Sequence, residues 1–144
     1  MAFDTQYLLD TNILVHCVRD DDLWAEIRES YQLMLIEPIP LISIVTAAEL
    51  RSLALQFEWG PEKLDRMEFA LGYFIELPVD SRDLVNTYAT LDAHLQRSGQ
   101  KMGKNDLWIA ATTILADAVL ISTDRDFERL APTYLRLERV EPVR

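Results

Sequence analysis

Apolar residues fall along this chain in two alternating patterns: short unbroken blocks, and longer stretches spaced at three and four. The first block, within residues 6–10, reads as a buried strand that ends on Asp10, Thr11 and Asn12 before "ILVHCV" opens a helix. From Leu23 to Ile36, Trp24, Ile27, Tyr31 and Leu35 recur at helical spacing until Pro38 and Pro40 close the stretch. "LISIV" (41–45) predicts a second strand, and a helix from Thr46 sets Leu50, Leu53, Ala54 and Phe57 on one face. Gly60 stops that helix, and Pro61 suits the first turn of another with Leu64, Met67 and Leu71 inward. "FIELPV" (74–79) is a third strand, after which Ser81 can cap a helix carrying Leu84, Tyr88, Leu91 and Leu95. Past the polar loop "SGQKMGK" (98–104), Asn105 is expected to cap a helix reaching about Asp117. "AVLIS" (118–122) gives a fourth strand, a short helical turn surrounds Phe127, and "YLRLERV" (134–140) offers a fifth.

Strands alternating with helices predict an α/β domain, a mostly parallel sheet of four to five strands with helices on both faces and right-handed connections. The 144 residues fit one domain over 1–144, with no repeat or linker. No apolar run approaches the roughly 20 residues of a membrane span. "MAFDTQ" carries an acid where a leader would be basic, so the expectation is a soluble, cytoplasmic protein without a membrane partner. The lone Cys17 reads as a small buried hydrophobe, and His16 and His94 are too few for a zinc cluster. His16 itself is expected to pack or to lie at the surface.

Charge complicates the picture. At −10 with a pI near 4.6, the chain is poorly suited to hold nucleic acid by long-range attraction. Many of its acids, however, fall at one place. Ligands of an open parallel sheet bind beyond the carboxyl ends of the strands. Asp10 directly follows the first strand, Glu49 lies in the helix after the second, and Asp124 and Asp126 follow the fourth. Asp106 opens the helix leading into the fourth strand, and a helix antiparallel to the strands begins at that same edge.

Each acid has an ordinary explanation. Glu49 could complete a capping box with Thr46, and Asp106 could complement a helix dipole. Asp124 and Asp126 could be turn or cap residues. Asp10 is harder to explain this way, because an ion at the end of a buried strand needs a partner. Together, carboxylates gathered at one edge repel unless a hard divalent cation such as Mg²⁺ is shared between them. Such a cation can orient a water, lower its pKa and stabilise an in-line displacement at phosphorus, with one or two metals both admissible.

Four stretches, "LLDTNIL" (8–14), "TAAEL" (46–50), "KNDLWIAAT" (104–112) and "STDRDF" (122–127), resemble the PIN-domain superfamily, and within it VapC-type toxins of toxin–antitoxin pairs. The resemblance implies a Rossmann-like three-layer domain and an endoribonuclease dependent on Mg²⁺ or Mn²⁺. By position, Asp10, Glu49, Asp106 and Asp124 match the family's acidic quartet, and Asp126 an additional acid. Thr11, Asn12 and Thr123 match polar residues that support them. Proteins of this kind usually form homodimers and are silenced by a cognate antitoxin. An RNA substrate would need local positive charge, for which Lys101, Lys104, Arg51 and Arg125 are the candidates. Trp108 could stack a base but at helical spacing more readily packs inside.

Competing readings fit less well. "GQKMGKN" (99–105) is one residue short of a P-loop between its glycines and lacks the Ser or Thr after lysine. A phosphatase using Asp10 as nucleophile wants a second Asp where Asn12 stands. A phospho-receiver lacks its acidic pair, although Asp80 follows the third strand. An inert scaffold should have lost some of the acids. The alternatives are an RNA-processing nuclease of the same family that is not a toxin, or a non-catalytic PIN-like or phospho-receiver binding module.

Overall fold

The computed structural model describes residues 5–35 and 37–142. Ile36, the predicted end of the second helix, and Asp4 of the leader reading lie outside them. Five strands, β1 (Tyr7–Leu9), β2 (Leu41–Ser43), β3 (Ile75–Leu77), β4 (Val119–Ser122) and β5 (Leu137–Arg139), form one sheet in the order β3-β2-β1-β4-β5. Every neighbouring pair is parallel. The helices are α1 (Thr11–Arg19), α2 (Asp22–Ser30), α3 (Ile44–Gln56), α4 (Pro61–Tyr73), α5 (Arg82–Arg97) and α6 (Lys104–Leu115), with a 3₁₀ turn over Arg125–Leu130.

Alternate strand residues separate the two cores, as a pleated strand requires. Leu9, Ile42 and Ile121 face a core closed by Ile13 and Leu14 of α1, Trp24 of α2, Leu50 of α3 and Met67 of α4. Leu8, Leu41 and Leu120 face the other way, toward Leu91 of α5, Leu107 of α6 and Phe127. The result is a single three-layer α/β domain, as expected. No described helix is long and apolar enough to cross a membrane.

Several boundaries shift. The "LISIV" block changes conformation within itself: Ser43 caps α3, its Oγ accepting from the Val45 N–H at 3.0 Å, so the helix starts two residues before Thr46. The predicted Thr46–Glu49 capping box is therefore absent. α6 likewise begins at Lys104, after Gly103, and Asn105 sits inside it rather than capping it. α2 stops at Ser30 because Gln32 turns into the left-handed region (φ 55°), which leaves Leu35 exposed. Leu64 and Phe57, expected inward, lie at the surface, while Ala70 takes an inward place on α4. Trp108 stacks on Tyr88 with ring centroids 4.1 Å apart, the packing role expected of it. Cys17 is half-buried, with its thiol pushed up to about 12 by burial. His16 Nδ1 lies 2.6 Å from Asp21 Oδ2.

Candidate active site

β1 is the central strand. The chain leaves it outward to β2 and β3, then returns to lay β4 and β5 on the other side. This reversal opens a crevice beyond the carboxyl ends of β1 and β4, where parallel sheets commonly bind ligands.

Asp10 stands at that point. Its N–H still belongs to the sheet, donating to the Ile121 carbonyl at 3.0 Å. Its side chain already belongs to the helix, capping α1 through Oδ1, which accepts from the Thr11 N–H at 2.8 Å. Oδ2 accepts from the Ser122 hydroxyl at 2.7 Å. Only 3 % of the residue is exposed. Burial pushes its pKa up to about 7; the bonds from Ser122 and Thr11 oppose the rise, and the charges of Asp106 and Glu49 add to it.

Fully buried Ser122 joins the two strand ends. Besides donating to Asp10, its oxygen accepts from the Asp124 N–H at 2.9 Å and from Asn12 Nδ2 at 3.4 Å. Asn12 Oδ1 accepts from the Thr123 N–H at 3.3 Å, so Thr123 contributes its backbone to the site. Asp124 caps the 3₁₀ turn, with Oδ1 accepting from the Asp126 N–H at 2.9 Å. That turn brings Asp124 and Asp126 toward Asp106 at the start of α6, and carboxylate oxygens of the three lie within 4.8 Å of one another. Burial, then the charges of Asp124, Glu49 and Asp126, raise Asp106 to about 6. Asp10 and Glu49 flank this trio without joining it.

Glu49 reaches the site from the second turn of α3. Its Oε1 accepts from the Thr11 hydroxyl at 2.6 Å, and the Thr46 hydroxyl lies 3.0 Å from that same Thr11 oxygen. Oε2 accepts from Asn105 Nδ2 at 3.3 Å. The acids expected at the sheet edge are thus brought together there, with Thr11 and Asn12 beside them.

The basic residues divide. Lys101, Lys104 and Arg125 are exposed, and among the described residues none has a carboxylate within ion-pair distance. Arg51, expected near a metal acid, instead pairs with Glu68 of α4 at 2.7 Å. Arg129, not anticipated, lies 3.2 Å from Asp126 and donates to the Lys101 carbonyl.

Three residues escaped the sequence reading: Ser122, Asn105 and Thr46. Ser122 left a signal, since it ends a buried strand on a polar residue just as Asp10 does. Thr46 and Asn105 were hidden by plausible capping roles. The donor set suits a hard divalent cation: all-oxygen, anionic, and crowded enough that carboxylate neighbours raise Asp106.

Comparisons with known proteins agree with this architecture. "Ribonuclease VapC5" of Mycobacterium tuberculosis is 35% identical over 91 residues, 61% of this chain and 66% of that protein. "Ribonuclease VapC1" of Haemophilus influenzae is 26% identical over 125 residues, 86% of this chain and 91% of its own. The crystal structure of VapBC2 from Rickettsia felis, bound to a promoter DNA fragment, matches with a TM-score of 0.81 and 25% identity. That match covers 95% of this chain and 100% of the other. The model of the PIN domain matches residues 7–132, a span that holds every acid of the crevice, and the chain belongs to the PIN domain family.

Proposed function

We propose that this chain is a divalent-metal-dependent endoribonuclease, the toxin of a toxin–antitoxin pair acting in the cytoplasm. The observation that carries the reading is the meeting of Asp106, Asp124 and Asp126 within 4.8 Å beside buried Asp10. Asp106, Asp124 and Asp126 would hold the cation, Mg²⁺ or Mn²⁺, with Asp10 and Glu49 completing the anionic rim. When bound, the cation offsets charge developing on the phosphate oxygens and eases deprotonation of a water.

The chain's own groups then orient the reaction. Glu49, fixed by Thr11 and Asn105, faces the crevice and can direct the attacking water toward phosphorus. Asp10, fixed by Ser122 and Thr11, sets its carboxyl group next to the trio. Lys101, Lys104 and Arg125, exposed and without an ion-pair partner among the described residues, carry charge for the phosphate backbone of RNA. The relatives' names support the substrate, and the Rickettsia VapBC2 complex supports a cognate antitoxin as partner. Exposed Leu55 and Leu64 line a cavity of about 520 Å³ between α3 and α4 that such a protein partner could cover. A homodimer belongs to the same proposal.

Asp106→Asn tests the chemistry. Cleavage of an RNA panel should require Mg²⁺ or Mn²⁺ and fall about 100-fold or more in the variant. Cleavage that survives chelation, or that the variant retains, would overturn it.

A further inference from the structure

A cavity of about 380 Å³ adjoins the acidic crevice and runs along α3. Thr11, Glu49 and Asn105 line its inner end, and Ser52, Leu53 and Gln56 continue it outward. These α3 positions follow the helical repeat from Glu49, so they share one face. Glu49 to Gln56 spans seven residues, a rise of about 10 Å along the axis. The volume lies within the range of about 300–1,000 Å³ usual for small-ligand sites.

Its polar groups are partly committed and partly free. Gln56 Nε2 donates to Ser52 Oγ at 2.8 Å, which leaves the Ser52 hydroxyl proton, the Gln56 carbonyl and a second Gln56 N–H. Asn105 spends one N–H on Glu49 and keeps its own carbonyl. Among the described residues none of these remaining groups has a protein partner. Half-buried Leu53 adds an apolar wall to the cavity. An amide held by one N–H offers a donor beside an acceptor, the pattern that reads the edge of a nucleobase. Sequence-specific recognition of RNA works on unstacked bases whose edges are open to such groups.

We infer that this cavity is a base-reading subsite. It takes a nucleobase of the single-stranded RNA flanking the scissile phosphate, with Gln56 as the specificity-determining residue and Ser52 holding its amide. The inference rests on the ribonuclease reading, and it explains how a catalytic rim made only of carboxylates selects a target: the rim handles phosphate, and the adjoining face of α3 handles the base.

The test is cleavage of a randomised RNA pool by the full-length protein with Mn²⁺, sequencing the cut ends. Wild type, Gln56→Ala, Gln56→Glu and Ser52→Ala are compared, with Asp106→Asn as the control for the activity itself. All three cavity substitutions lie on an exposed helix face, and thermal melts check that folding is kept. Gln56→Ala should lose discrimination at one position next to the cut by about tenfold. Gln56→Glu should shift that position toward a base presenting an amino donor, and Ser52→Ala should weaken the preference in part. An unchanged profile in variants that still cut overturns the inference and leaves the cavity to a protein partner, with the nuclease reading intact. Absence of metal-dependent cutting by wild type overturns both.

Discussion

Ser122 gathers three hydrogen bonds on one buried oxygen, which ties Asp10, Asn12 and Asp124 together. Ser122→Ala should therefore cost about 1–3 kcal/mol of stability, because buried Asp10 Oδ2 loses the one donor it has among the described residues. It should also lower cleavage about 10–100-fold, as loss of a group that orients a metal site does; urea denaturation and RNA assays read the two effects. Asp10 gives a pH signature. Its folded pKa, about 7, stands above the ordinary value of 3.8, so between those values the native state binds the proton more tightly than the unfolded chain. Stability of the metal-free protein should fall as pH rises through that window, by on the order of a few kcal/mol from this group. Asp106 acts in the same direction. Asp10→Asn should flatten the slope in melts between pH 5 and pH 8. A wild type that gains stability over that range would contradict the picture.

At the scale of elements, the alternation of strands and helices was legible because it rests on apolar periodicity, which burial on both faces of the sheet enforces. Boundaries were less legible where the environment stays apolar across a change of conformation. Ile44 and Val45 extend the β2 block in sequence, yet Ser43 has already capped a helix. Gly103 begins α6 without any side-chain cap, so Asn105 drew the assignment that belonged to its neighbour. Tyr31 and Leu35 continue a helical spacing by coincidence past the end of α2 at Ser30, where Gln32 turns left-handed. That left-handed residue carries strain a glycine lacks. Gln32→Gly, exposed and with its backbone bonds intact, should stabilise the fold by up to about 1 kcal/mol in denaturation.

For the whole molecule, the acids were readable as a site because sheet topology turns scattered sequence positions into one edge. Three neutral supports were not, since Ser122, Thr46 and Asn105 gain meaning only from partners 35 to 112 positions away. Net charge of −10 sets the terms of RNA capture. With so little long-range attraction, Lys101 and Lys104, which pair with no carboxylate among the described residues, should matter disproportionately. The double change Lys101→Glu, Lys104→Glu should raise KM for RNA several-fold with little effect on kcat, measured at fixed salt and Mn²⁺; an unaltered KM would remove both residues from the RNA path.

Strand order has a last implication. The carboxylates of the proposed metal site gather beyond the sheet's inner strands β1 and β4 and the near ends of α3 and α6, whereas α3's outer turns, the 98–104 loop and the edge strands β3 and β5 lie around the periphery. On the proposed reading, evolution, or a protein engineer, can rewrite which message is cut at the periphery while the acidic hub stays untouched.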